Sequence, residues 1–147
     1  MTAANRTYGH DWERDCARHL SVTLNLDVRS ARSVTGGTQD GADLVTVEAD
    51  GRIVHTVEGW HCEAKASHRP HQPVPWMRQA RKQADSDLYV VLAKNPRRKV
   101  EDGTVYLTAK ALRWWTGEDT AVFSDDHAVR WLSLAAWTDL LTLNRSR

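Results

Sequence analysis

Leu88-Tyr89-Val90-Val91-Leu92-Ala93 is a near-continuous apolar run of strand length, the pattern of a strand buried on both faces. Such a strand needs a covering layer on each side. Immediately before it, Pro75 suits the first turn of a helix running to about Asp85, with Trp76, Met77, Ala80 and Ala84 inward and Arg78, Arg81 and Lys82 outward. Before that helix, Trp60-His61-Cys62-Glu63-Ala64-Lys65-Ala66 reads as another strand. A crossover from strand through helix to strand argues for an α/β layer, so the chain is expected to form a mixed central β-sheet flanked by helices.

The first of these strands carries chemistry. Successive strand residues alternate faces, which sends Trp60, Cys62, Ala64 and Ala66 into a core while Glu63 and Lys65 emerge together on the other side. Asp43 opens an earlier strand, Leu44-Val45-Thr46-Val47, and antiparallel pairing of the two strands through an Asp50-Gly51 turn would carry Asp43 back towards Glu63. Two carboxylates and a lysine then meet. Hard divalent cations such as magnesium take one or two carboxylates and keep several waters, and an adjacent lysine can position a water or stabilise developing negative charge. Asp40, in a glycine-rich loop from Ser33 to Gly41, is a rival ligand; Asp43 is favoured because it abuts an apolar strand and so has a fixed backbone.

The rest of the chain supplies supports. Tyr8, Trp12, Cys16 and Leu20 share one face of an expected helix from Tyr8 or Gly9 to about Leu24, with Glu13 at the edge of the buried side. Leu24 to Ser33 reads as a first strand, its Arg29 and Arg32 suited either to phosphate oxygens or to blunting a sheet edge. From Arg52 to Ala66 the chain is one strand bent at Gly59 or two shorter ones. His55, His61, His68 and His71 with Cys62 lack paired zinc-ligand spacing and read as a wet histidine loop. Taken on their own, Gln79 and Gln83 read as surface amides. Thr104 to Leu107 is a short strand, Thr108 caps a helix containing Leu112, Trp114 and Trp115, Glu118 to Asp126 is an acidic loop, and Ser133 caps a last helix, Leu134 to Leu143. The tryptophans are expected to pack in a core or subunit interface rather than to stack on bases.

Composition sets bounds. A chain of 147 residues with 41% hydrophobic and 27% charged residues fits one compact domain, residues 1–147, with no case for global disorder. No apolar run reaches membrane length and the N-terminus lacks the apolar core of a signal peptide, so a cytoplasmic protein is expected, with Cys16 and Cys62 as buried thiols. The net charge of +1 does not announce a nucleic-acid binder, yet basic residues cluster at Arg29 and Arg32, at Arg78, Arg81 and Lys82, and at Arg97 to Lys99. That segregation permits a positive groove on a nearly neutral protein.

Glu13, Arg29-Ser30, Gly41-Ala42-Asp43-Leu44 and Glu63-Ala64-Lys65, in this order, resemble the PD-(D/E)XK nuclease superfamily, most closely its Holliday junction resolvase branch. The resemblance covers about the first two thirds of the chain. It departs at Ala42, where the motif often has proline. It implies a restriction-endonuclease-like fold, catalytic residues Glu13, Asp43, Glu63 and Lys65, and Mg2+ (with Mn2+ as a substitute) held by Asp43, Glu63 and the Ala64 carbonyl. It further implies a homodimer acting on branched DNA, for which Arg29, Arg32, Arg78, Arg81 and Lys82 are candidate contacts. One of Gln79 and Gln83 falls where nucleases similar to this pattern often carry a helical glutamine near the site. Two other readings stay open: a restriction- or repair-type endonuclease acting on duplex or flap DNA, and a non-catalytic DNA-binding protein on the same fold.

Overall fold

A computed structural model describes residues 2–35, 41–117 and 127–145. The Glu118–Asp126 segment and Asp40 lie outside the described residues, as does the side chain of Trp114.

Helix α1 (Ala3–Leu24) begins well before the expected Tyr8 because the Thr2 side chain accepts the Asn5 N–H, an N-cap that the apolar periodicity does not reveal. It stops at Asn25, whose left-handed backbone (φ 54°) sends its N–H to the Ser21 carbonyl. Its buried stripe is Trp12, Glu13, Cys16, Ala17, Leu20 and Leu24. The strand expected over Leu24–Ser33 shrinks to β1 (Val28–Ser30), followed by the short helix α2 (Ala31–Thr35). The αL residue and the turn behind it consume the first part of that stretch, and the Ser33 and Thr35 hydroxyls bond back to the Ser30 and Ala31 carbonyls.

Strands β2 (Leu44–Val47) and β3 (Ile53–Val54) form an antiparallel hairpin about Asp50-Gly51, as expected; Gly51 has φ 87° and the Glu48 N–H bonds the Arg52 carbonyl at 2.8 Å. The chain then turns a second time. Val57 and Trp60 exchange both backbone hydrogen bonds across Glu58 (φ 51°) and Gly59 (φ 85°), the paired positive dihedrals of a tight two-residue hairpin turn. The stretch from Arg52 to Ala66 is therefore two strands, and β4 (His61–Lys65) starts after this turn.

Helix α3 (Pro73–Gln83) follows, starting two residues earlier than expected, and leads to β5 (Tyr89–Ala93), which pairs parallel to β4 with His61 opposite Tyr89 and Lys65 opposite Ala93. Strands β6 (Thr104–Thr108) and β7 (Val129–Ser133) extend the sheet antiparallel, giving the mixed order β4-β5-β6-β7. β7 was not anticipated by the sequence reading. Helix α4 (Ala109–Thr116) is capped by Thr108 and α5 (Leu134–Arg145) by Ser133, as expected.

The single central sheet of the sequence reading is corrected to two. β1, β2 and β3 make an antiparallel three-stranded sheet, separate from the mixed four-stranded one. The Asp43 N–H donates to the Cys62 carbonyl at 2.9 Å, and the Ala31 N–H donates to the Asp43 carbonyl at 2.8 Å.

β5 is buried along its whole length and divides two apolar clusters. Val90 and Leu92 face α1, α4 and α5, joining Trp12, Leu20, Trp60, Trp115 and Trp137; Tyr89 and Val91 face α3, joining Met77 and Ala80. Trp60, Trp115 and Trp137 touch edge to face or tilted, with ring centroids 5.1 to 6.4 Å apart, so these tryptophans are core. Cys16 and Cys62 are buried free thiols, and burial pushes both up in pKa. Among the described residues no helix is long and apolar enough to cross a membrane.

Candidate active site

Glu63 and Lys65 lie on one face of β4, as alternation requires, but Glu63 is buried at 4% exposure whereas Lys65 is only half-buried. Asp43 reaches them by a route other than the expected hairpin. β2 and β4 do not share a ladder; instead Asp43, one residue before β2, lies beside the middle of β4. There its Oδ2 accepts the Ala64 N–H at 2.8 Å. Its backbone N–H and its carboxylate are thus both attached to β4.

Asp43, Glu63, Ala64 and Lys65 line one cleft of about 610 Å³, whose other walls include Glu13 and Arg32. Two carboxyl groups are crowded here. Burial, then the charge of Glu63 and a hydrogen bond between the two side chains, push the Asp43 carboxyl up to about 8, against the pull of the Ala64 N–H. Glu13 adds a smaller repulsion. Glu13 is itself raised, chiefly by burial, while Arg32 and His10 pull it down. The Arg32 guanidinium stands 3.8 Å from the Glu13 carboxylate. Carboxyl groups are thereby crowded where their charged forms are disfavoured, and a cation is the natural complement of such a cluster.

Lys65 is directed by α3, its Nζ donating to Gln79 Oε1 at 3.0 Å. Gln83, one turn on, also belongs to the site. In the amide orientation that satisfies both its atoms, it donates to the Gly41 carbonyl at 3.2 Å and to Glu63 Oε1. Gln79 is exposed and Gln83 half-buried, and the i, i+4 spacing that places them on one side of α3 brings both to the wall of the cleft. His61, taken from sequence as part of a wet histidine loop, is buried on β4, and its Nε2 lies 2.8 Å from Glu63 Oε1. The signal was available. His61 and Glu63 are two apart on a strand and must share a face.

Two others of that group, His71 and His68, have structural partners. His71 bridges the Tyr106 hydroxyl and the Lys94 carbonyl at 2.8 and 2.9 Å, and His68 stacks on Tyr8. Among the described residues no three His, Cys, Asp or Glu side chains form a ready-made metal cage.

The candidate phosphate contacts divide. Arg32 lines the cleft, whereas Arg29 is held by two hydrogen bonds to Asp27 on exposed surface. Arg78, Arg81 and Lys82 project from the exposed side of α3, on the same helix whose glutamines reach Lys65 and Glu63. No family model, characterised protein or solved structure matches the chain.

Proposed function

We propose that the chain is a magnesium-dependent endodeoxyribonuclease of the PD-(D/E)XK type, with a restriction-endonuclease-like fold, acting as a homodimer on branched DNA in the manner of Holliday junction resolvases. One observation carries the reading. Asp43, Glu63 and Lys65, distant in sequence and of ordered spacing, meet in one cleft with the Asp43 carboxylate fixed on the Ala64 backbone.

The residues fit magnesium. The donors are hard oxygens, two carboxylates and a backbone carbonyl, which is the set a strongly hydrated cation accepts while keeping waters of its own. The raised Asp43 carboxyl marks a charge deficit that a divalent cation would cancel. Asp43, Glu63 and the Ala64 carbonyl would hold the ion. When bound, it supplies a Lewis acid beside the phosphate and lowers the pKa of a bound water.

The chain's own groups do the rest. Lys65, steered by Gln79, orients the attacking water and sets a positive charge against the phosphate oxygens. Arg32 presents a guanidinium to a neighbouring phosphate from across the cleft while balancing Glu13. Arg78, Arg81 and Lys82 extend the positive surface along α3, where flanking backbone phosphates would be drawn in. Branched DNA and the homodimer are what the motif resemblance adds to this chemistry.

The test is cleavage of a labelled four-way junction beside a linear duplex of the same sequence, with and without Mg2+, by wild type and Asp43→Asn. Paired, symmetric, Mg2+-dependent nicks on the junction, lost in the variant, are expected. Equal cutting of both substrates would keep the nuclease and remove the junction specificity. Tight binding with no cutting under Mg2+ or Mn2+ would replace the reading with a DNA-binding protein.

A further inference from the structure

Glu63 is held by more than its own strand. His61 Nε2 lies 2.8 Å from Glu63 Oε1, with the two side chains only 8% and 5% exposed. Gln83 donates to the same oxygen from α3. Both of these hydrogen bonds fall on Oε1, so Oε2, which takes neither, is the oxygen that would turn to a cation shared with Asp43. Asp43 repeats the arrangement, since its Oδ2 is occupied by the Ala64 N–H. In each carboxylate one oxygen is engaged by protein.

We infer that His61 is a positioning residue for the cation site: it holds Glu63 as a one-oxygen ligand, and so sets both the affinity of the site and its preference for a small octahedral cation over calcium. This rests on the metal-site reading above. The physical argument is one of coordination number. Magnesium and manganese accept six ligands in tight octahedra and are satisfied by a few single protein oxygens plus water, whereas calcium takes six to eight oxygens and gains from bidentate carboxylates. A glutamate whose Oε1 is engaged by an imidazole N–H and an amide N–H cannot turn to offer both oxygens without breaking two buried hydrogen bonds. Burial strengthens the restraint, because an imidazole N–H that loses its acceptor where the side chain is 8% exposed meets little solvent to replace it. The inference needs only a donor at Nε2, which imidazole supplies when the proton of the neutral ring sits on that nitrogen.

The test is direct cation binding, without DNA and without turnover. Calorimetric titrations of Mn2+ and of Ca2+ into wild type, His61→Phe, His61→Gln and Gln83→Leu are compared at one pH, with thermal melts of each variant alone. His61→Phe keeps a flat ring and removes the donor; it is expected to weaken Mn2+ binding about 10–100-fold, the range seen when a hydrogen-bonding support of a metal ligand is lost, and to weaken Ca2+ less. His61→Gln returns an N–H at similar reach and is expected to recover most of the Mn2+ affinity. Gln83→Leu, at the C-terminal end of α3, is expected to fall between them. Equal Mn2+ affinity for wild type, Gln83→Leu and a folded His61→Phe would overturn the inference while leaving the metal site standing. Proportional loss of both cations, with no narrowing of the Mn2+ to Ca2+ ratio, would overturn the selectivity. Wild type that binds no Mn2+ would overturn the metal-site reading itself.

Discussion

Asp43 is a carboxyl kept against its ordinary preference. Burial and the neighbouring Glu63 charge raise it to about 8 from a reference value of 3.8. Because the folded value exceeds the unfolded one, the native state binds the extra proton between these values, and stability falls as pH rises through that window. Asp43→Asn removes the penalty while an amide oxygen can still accept the Ala64 N–H. The variant is expected to be more stable than wild type by about 1–3 kcal/mol at pH 7.5 and nearly equal to it at pH 4, read from denaturant melts at the two pH values. Lys65 is expected to behave differently. Lys65→Ala should abolish cleavage and spare DNA binding, and a variant that cuts at the normal rate would remove this residue from the mechanism. Strand alternation and motif order point from the sequence to Asp43, Glu63 and Lys65, and the structure brings the three to one cleft. Spacing also puts His61 on the Glu63 face and Gln83 on the Gln79 side of α3, but which carboxylate oxygen each meets is a matter of distance that residue type does not encode.

At the level of elements, two glycines give opposite forecasts. Gly103, after the Val100–Asp102 turn, has no room for a side chain: a Cβ there would lie 2.9 Å from the Trp12 ring and 3.1 and 3.2 Å from the Val100 and Ala93 carbonyl oxygens. Trp12 cannot retreat, because its indole N–H donates to the Leu92 carbonyl at 2.9 Å inside the core. Gly103→Ala should therefore cost about 1–3 kcal/mol and displace α1, which carries Glu13. Gly9 lies within α1 with nothing inside 4 Å of its would-be Cβ. Gly9→Ala should stabilise by about 0.5–1 kcal/mol, and urea denaturation of the pair checks both signs. The elements themselves were legible where periodicity is strong, as in α3, β4, β5 and the last helix. They were misread where a single side chain or dihedral sets the boundary, as with Thr2 before α1 and Asn25 ahead of β1. β7, a strand of half-exposed and exposed residues, carries too little alternation of burial to announce itself.

For the molecule as a whole, the α/β character followed from one crossover, while the division into two sheets did not. Local pattern identifies strands and says little about which ladder each joins. Mass action offers a global test of the proposed cation. A ligand that binds only the folded chain stabilises it by RT ln(1 + [L]/Kd), so Mn2+ at a hundred times its Kd should add about 2.7 kcal/mol, visible as a rise in Tm that Asp43→Asn lacks. No rise for wild type at saturating Mn2+ would contradict the site.

Asp43 is also where the two sheets are fastened. Its N–H reaches Cys62, its carbonyl receives Ala31, and its carboxylate receives Ala64, so one residue touches the four-stranded sheet twice and the approach to α2 once. A residue used as a rivet transmits load. A change of charge on the Asp43 carboxylate would therefore act directly on one of the three bonds that fasten the frame, the one from the Ala64 N–H, and leave the two backbone bonds in place.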